Sequence, residues 1–315
     1  MTLEPGISVV VPVYNSAVSL HELTNELGTV LPGLAKKFEV ILINDGSRDE
    51  SWNVIQTICA EKPWVRGVNM MRNYGQHNAL VCGMRLAVYD TIVTMDDDLQ
   101  HPPKEIHKLL GPLSQGFDVV YGIPMKLPHS WWRNAFSRLT KRILAMVMGI
   151  STIRDIGAFR AFRTDVRRAS ELFQSPTVIL DVLLSWGTTR FTTVQVEEAP
   201  RKEGHSNYNF SRLVSQAMLI LTGFSTVPLR LTNWIGFIFT IFGIVVLVYV
   251  LSQYFIAGSI PGFPFLASMI AIFSGTQLFA LGIFGEYLAR IFDRSMERPT
   301  YAISNTINSP KDKIS

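Results

Sequence analysis

The chain has 315 residues, long enough for more than one structural unit, with 29 Lys and Arg against 25 Asp and Glu and a net charge of +4. That modest excess comes with no nucleic-acid motif and gathers near apolar segments, so it fits a membrane surface rather than nucleic acid. Cys59 and Cys82 have neither metal-ligand spacing nor a disulfide framework, and read as buried thiols in a reducing compartment.

The opening MTLEPGISVVVPVYN carries Glu4 and Pro5 ahead of an apolar run too short for a signal peptide, which predicts a cytoplasmic amino-terminal domain. Apolar β-branched runs then alternate with helix-like stretches, the pattern of a mostly parallel sheet with crossover helices. Strands are predicted at Ile7–Val13, Phe38–Asn44, Val65–Met71, Thr91–Met95 and Asp118–Tyr121. Helices are predicted at Ala17–Val30, Asp49–Ala60, Gln76–Ala87 and Pro103–Leu110. In such sheets ligands bind beyond the carboxyl ends of the strands, where NDGS (Asn44–Ser47) and DDD (Asp96–Asp98) both fall. No G-x-G-x-x-G or P-loop is present, which removes the main support for a dinucleotide or ordinary NTP-hydrolase site.

Three adjacent carboxylates each raise the cost of ionising the next unless a positive charge sits between them. Asp96 and Asp98, at i and i+2 past a strand end, can both turn toward a hard cation such as Mg²⁺ or Mn²⁺, which prefers oxygen ligands and leaves places for water and phosphate. In MRNYGQHNALVCG (Met71–Gly83), Gly75 allows backbone to approach a ligand at a helix N-terminus, and Arg72 is a phosphate candidate; His77 reads as a structural hydrogen-bonding residue.

From about residue 126 the pattern is less regular. Residues 130–149 can be written as a basic interfacial helix, with Trp132, Phe136, Leu139, Ile143 and Met146 on one side and Arg133, Arg138, Lys141 and Arg142 around the others. The stretch 212–233 is apolar but interrupted by Pro228, and reads as an interfacial segment, with a third span or a buried helix of the catalytic region as the alternatives. Two charge-free runs follow, Trp234–Phe255 and Phe263–Phe284, each long enough to cross a bilayer, since roughly 20 apolar residues are needed. Arg230 precedes them and Arg290, Arg294 and Arg298 follow, so the positive-inside rule predicts a hairpin over 234–289 with both termini in the cytoplasm and a cytoplasmic tail at 290–315.

ISVVVPVYN, NDGS, a D-x-D-L-Q-x-P-P motif and a membrane hairpin ending GEYLARIFDRSMERPTY occur in this order, and nearly the whole chain resembles glycosyltransferase family 2 in its polyprenyl-phosphate branch. The MRNYGQHNALVCG segment is similar to that of the formamido-arabinose transferases of this branch. The resemblance implies an α/β GT-A nucleotide-sugar-binding domain over 1–211, followed by interfacial helices and the two-helix hairpin. Pro12, Tyr14 and Asp45 would then hold base and ribose, with Arg72 and Gly75 beside the donor, and Asp96, Asp98 and Gln100 around Mg²⁺ or Mn²⁺ on the diphosphate. Asp97 stands where relatives commonly have Ala and is expected to be a bystander or to face the nucleotide; Ser16 replaces a common Glu.

On the acceptor side the resemblance implies that Asp155 contacts sugar or acceptor, that Arg160 binds phosphate, and that Arg201, Lys202 and Ser206 form a flexible acceptor-phosphate loop. Ala158 stands where some relatives have Asp, so a base at that position does not carry over. The implied reaction is inverting transfer of a sugar from a UDP-sugar to undecaprenyl phosphate by a multi-pass protein of the bacterial inner membrane, with Asp98, Asp155 and Arg160 as catalytic candidates and a homotetramer as the expected assembly.

Overall fold

A computed structural model describes residues 4–124, 157–171, 173–176, 178–199, 225–258 and 262–309. The chain divides into two units, Met1–Tyr208 together with Glu297–Ser315, and Asn209–Met296. Four expectations fall wholly or mostly outside the described residues: the basic helix at 130–149, Asp155, the loop carrying Arg201, Lys202 and Ser206, and residues 212–224 of the interfacial segment.

In the first unit the strands are β1 (Glu4–Val13), β2 (Phe38–Asn44), β3 (Val65–Met70), β4 (Tyr89–Thr94), β5 (Val119–Pro124), β6 (Arg160–Arg163), β7 (Phe191–Val196) and β8 (Ile303–Ile307). They form one sheet in the order β7-β5-β6-β4-β1-β2-β3-β8. Strand β1 pairs in parallel with β2 and β4, and β2 with β3, whereas β6 runs antiparallel to β4 and β5, and β8 antiparallel to β3. Val9, Val10, Val11 and Val13 are all fully buried. Successive rather than alternate burial means that both faces of the sheet are covered, which explains a continuous run of valines in β1.

The covering helices are α1 (Leu20–Leu34), α2 (Ser51–Glu61), α3 (Gln76–Leu86), α4 (Ile106–Ser114) and the shorter α5 (Leu180–Gly187). Leu20, Leu23, Leu27 and Leu31 of α1 lie on one buried stripe at helical spacing. Helix α1 runs past the expected end at Val30 and through Pro32, because a proline in the final turn sacrifices little and Leu31 is anchored in the core. Both cysteines are free and buried, and burial pushes each thiol up to about 12, so neither is reactive near neutral pH.

Strands β6, β7 and β8 are absent from the sequence expectations. β6 is only four residues long, with an arginine at each end. β8 lies within the stretch read as a tail. It pairs with β3 from Gly67↔Ile307 to Met70↔Ile303, and Asn308 Nδ2 donates to the carbonyls of Cys59 and Val65, each at 2.8 Å.

The second unit contains α6 (Val227–Ala257) and α7 (Phe263–Ser295). Helix α6 begins before the expected Trp234, because Pro228 sits in its first turn, where a missing N–H costs nothing. Phe239 and Phe273 meet edge to face across the pair, with ring centroids 5.9 Å apart. Among the described residues one helix, Val227–Ile256, is long and apolar enough to cross a membrane by length and composition. Helix α7 has no Asp, Glu, Lys or Arg between Phe263 and Phe284, and beyond that run it continues into the charged stretch Glu286–Arg294.

At the amino ends of the central strands, Arg66 Nη1 lies 2.7 Å from Glu39 Oε2, with both side chains buried. Ser8 Oγ and the Val88 N–H donate to the other carboxylate oxygen at 2.7 and 2.9 Å. Removing one partner strands a buried charge. Glu39→Ala is expected to lower stability by about 3–5 kcal/mol, read as a shift of the denaturation midpoint, whereas Lys37→Ala, in an exposed pair with Glu4, is expected to leave the midpoint in place.

Candidate active site

A cleft of about 270 Å³ opens at the carboxyl ends of the parallel strands, lined by Pro12, Val13, Tyr14, Asp45, Asn73, Gly75, Gln76 and the run Asp96–Asp98. The strand registers assemble it. Val13 pairs with Asn44, which sets Tyr14 beside Asp45, and the Met95 N–H donates to the Val10 carbonyl at 3.3 Å, which carries the acidic run to the same edge.

Asp45 is buried, and its two carboxylate oxygens accept the backbone N–H groups of Tyr74 at 2.7 Å and Gly75 at 2.8 Å. Burial raises its carboxyl above the usual range, and these two donors pull it back down. The loop between β3 and α3 is thereby fixed against the end of β2. Gly46 makes this approach possible: its φ is +64°, and a Cβ there would lie 2.5 Å from the backbone of Arg72 and Asn73. Gly75 opens α3 with φ +94°, in the region that favours glycine. On the other side of the cleft the Asn15 N–H donates to Ser47 Oγ at 3.0 Å and the Arg48 N–H to Asn15 Oδ1 at 2.8 Å, joining the loops that follow β1 and β2.

Each aspartate of the acidic run has its own neutral donor. Asp96 Oδ1 accepts from Gln76 Nε2 at 2.6 Å, Asp97 Oδ2 from the Tyr14 N–H at 3.4 Å, and Asp98 Oδ1 from the Gln100 N–H at 3.1 Å. Leu99 takes φ +58°, an uncommon value for a leucine, while its side chain is buried, so core packing holds the turn that bends Asp98 back over Gln100. The Asp96 carboxyl is pushed up to about 6 by burial and then by Asp98 and Asp97, against the opposing pull of Arg160 and Gln76. Burial also raises Asp97, which Ser16 and the Tyr14 N–H partly offset. Crowded, half-buried carboxylates of this kind suit a divalent cation, whose charge removes the repulsion. Among the described residues no group of three His, Cys, Asp or Glu side chains is arranged to hold a metal by itself. Two carboxylates with positions left for phosphate oxygens and water match that chemistry.

Behind Asp96 lies a buried polar cluster. The Arg160 guanidinium pairs with Asp181, and the Tyr121 hydroxyl donates to the same carboxylate at 2.8 Å. Arg160 and Asp181 are 2% and 4% exposed, so this arginine turns toward its partner in the core rather than into open solvent. Burial pulls the guanidinium down, but Asp181, Tyr121 and Asp96 outweigh it and hold it fully charged. The Leu180 N–H donates to His77 Nδ1 at 3.3 Å, and burial lowers the His77 pKa; the neutral ring serves as a hydrogen-bond acceptor. Thr94 Oγ1 donates to the Ala158 carbonyl at 2.8 Å, tying β4 to the segment before β6.

Pro12, Tyr14, Asp45, Gly75, Asp96, Asp97 and Asp98 therefore share one cleft. Arg72 is exposed and stacks on Tyr74 with 4.7 Å between guanidinium and ring centre. Gln100 contributes its backbone, donating to Asp98 and accepting from the Ala199 N–H at 2.8 Å. Sequence reasoning passed over Asn73, Gln76, Tyr121 and Asp181. Gln76 was adjacent to a residue already singled out, whereas Asp181 sits in an apolar stretch, ILDVLL, where one carboxylate among leucines was the only signal.

The model of the family described as Glycosyl transferase family 2 matches residues 8–169. The undecaprenyl-phosphate 4-deoxy-4-formamido-L-arabinose transferase of Shewanella sediminis (strain HAW-EB3) is 33% identical over 307 residues, covering 96% of this chain and 92% of that protein. Among solved structures, glucosyl-3-phosphoglycerate synthase from Mycobacterium tuberculosis in complex with Mn²⁺, UDP and glucosyl-3-phosphoglycerate is similar with a TM-score of 0.52 and 19% identity, over 69% of this chain and 78% of that one. Its complex with Mn²⁺, UDP-glucose and phosphoglyceric acid gives 0.51 and 18%, over 69% and 78%. At such identities these likenesses establish the fold alone.

Asp45 carries the wall of the cleft through two charge-assisted bonds. Asp45→Ala is expected to abolish amide-exchange protection at Tyr74 and Gly75, a loss of about 1.5–3 kcal/mol of local stability, while the protection of Val40–Ile43 in the core of β2 stays as it is.

Proposed function

Because the chain belongs to glycosyl transferase family 2 and is a glycosyltransferase, we propose that it moves a sugar from a UDP-sugar to undecaprenyl phosphate, giving a polyprenyl-phospho-sugar for envelope glycan modification. The observation that carries the reading is the convergence of Asp96–Asp98 with Asp45 and Tyr14 on one cleft at the carboxyl edge of the parallel sheet.

In this reading Tyr14, Pro12 and Asp45 receive the base and ribose. Asp96 and Asp98 hold Mg²⁺ or Mn²⁺, which when bound stabilises the charge that grows on the departing diphosphate. A lipid-phosphate oxygen attacks the anomeric carbon from the face opposite the leaving group. The new carbon–oxygen bond forms as the bond to UDP breaks with its electron pair, and the configuration inverts. A phosphate is already ionised near neutral pH, so its oxygen needs positioning more than deprotonation. Arg160 then supports the site from beneath as the partner of Asp181, with Asp155, Arg201, Lys202 and Ser206 proposed as acceptor-side contacts.

The apolar surface of α6, where Phe237, Ile241, Val245 and Tyr249 are exposed, supports residence in a bilayer alongside the lipid acceptor. We place α6 and α7 as a hairpin in the bacterial inner membrane, with the catalytic unit and both termini cytoplasmic and the assembly a homotetramer. The near full-length likeness to the Shewanella sediminis enzyme favours a formamido-arabinose donor. A second reading keeps the same acceptor and takes UDP-glucose; a third makes the protein a non-catalytic nucleotide-sugar sensor.

Transfer by the purified protein in detergent, given undecaprenyl phosphate, Mn²⁺ or Mg²⁺ and a panel of UDP-sugars, separates these by mass spectrometry of the lipid product. One sugar-phosphate lipid, lost with EDTA, is the expected result; UDP binding with no product from any donor would favour the sensor. Asp98→Asn is expected to lower turnover roughly hundredfold with membrane association intact. The free Asp96 carboxyl titrates near 6; below that pH a proton must leave before a cation binds. Mn²⁺ affinity is therefore expected to fall by up to about tenfold per pH unit below about 6 and to level off above it.

A further inference from the structure

Gln76 is the first residue of α3, exposed on the wall of the cleft, and its side-chain amide donates to Asp96 Oδ1 at 2.6 Å. An ionised carboxylate only accepts, so the atom facing Asp96 is the amide nitrogen. Asp97 and Asp98 each have a backbone donor, Tyr14 and Gln100, and Ser16 adds a side-chain hydrogen bond to Asp97. The donor to Asp96 comes from a side chain at the start of α3. That element is itself anchored, because Asp45 holds the N–H groups of Tyr74 and Gly75 immediately before Gln76. A continuous line of bonds thus runs from Asp45 through Gly75 and Gln76 to Asp96.

We propose that Gln76 is a positioning residue for divalent-cation binding: it occupies one oxygen of Asp96, orients the other toward the cleft, and transmits the position of the β3–α3 loop to the cation site. The inference rests on the reading of Asp96 and Asp98 as cation ligands. Donors of this kind behind a ligating carboxylate are typically worth 10–100-fold in metal affinity. The role also separates two chemistries at position 76. A donor to Asp96 is lost in both Gln76→Ala and Gln76→Glu, and the glutamate adds repulsion. An oxygen at position 76 that ligated the cation directly would instead be retained and strengthened by Gln76→Glu.

The test uses the full-length protein in detergent, saturated with UDP, and measures Mn²⁺ binding by the decay of the free-ion electron paramagnetic resonance signal. Q76A and Q76E are both expected to bind Mn²⁺ at least about tenfold more weakly than the parent, with an unchanged melting temperature and unchanged UDP binding in EDTA. Parent-like affinity in Q76A, or affinity equal to or tighter than the parent in Q76E, would overturn the proposal. Asp98→Asn, run in parallel, tests the underlying reading by itself: if it keeps full Mn²⁺ binding, the cation site fails whatever Gln76 does, and if it loses binding while Q76A does not, the positioning role alone fails.

Discussion

Negative charge is concentrated at the end of β4, and the surrounding structure is organised around holding it there. Three consecutive carboxylates beside a buried strand end would repel one another into solvent if the backbone allowed. Core burial of Leu99 in a left-handed conformation prevents that escape. The repulsion is met by partial charges brought from three directions: the β1 loop through Tyr14 and Ser16, the β3–α3 loop through Gln76, and the chain itself through Gln100. None of these donors neutralises a charge. Burial, and then the neighbouring Asp98 and Asp97, keep the Asp96 carboxyl well above the ordinary range, and a cation arriving with a diphosphate finds a site already assembled.

Among the described residues, the arginine whose charge acts on Asp96 is kept out of the cleft. Arg160 is committed to Asp181 and Tyr121 in the core, so it lends electrostatic support to Asp96 without competing for the space a cation needs. A buried pair of this kind contributes little net stability compared with apolar packing, and its usual value lies in holding a charge at a defined place. The pair between Glu39 and Arg66 closes the opposite end of the central strands in the same way. The sheet therefore carries a locked ion pair at its amino end and an open acidic cluster, with another locked pair behind it, at its carboxyl end.

The return of the chain after α7 adds a further constraint on the cleft. The Met71 N–H donates to the Ala302 carbonyl at 2.9 Å, and the buried Thr300 hydroxyl lies 3.4 Å from the Ser175 N–H it accepts. Strand β8 thus grips β3 one residue short of the loop that Asp45 holds from the other side. Ile303–Ile307, within the stretch read from sequence as a tail, form the outer strand of the catalytic sheet, so residues that follow the apolar helices help complete that unit.

Local pattern was enough for the parallel core. The uninterrupted valines of β1, the leucine stripe of α1 and the acidic motifs at strand ends depend on near neighbours and on one rule about where ligands bind in such sheets. Those signals located the elements to within a few residues and pointed to the aspartates that now share the cleft. What they could not reach were pairings between segments far apart in the chain. The four residues of β6, the tail strand β8, the commitment of Arg160 to Asp181 and the bond from Gln76 to Asp96 each join positions about 20 or more residues apart. An arginine beside an active-site motif looks the same in sequence whether it faces a substrate phosphate or a buried carboxylate. The sequence by itself determined the fold class and the chemistry gathered at one sheet edge; only the tertiary structure decided which charges are spent on one another and which remain for a ligand, because that choice is set by contacts between distant segments.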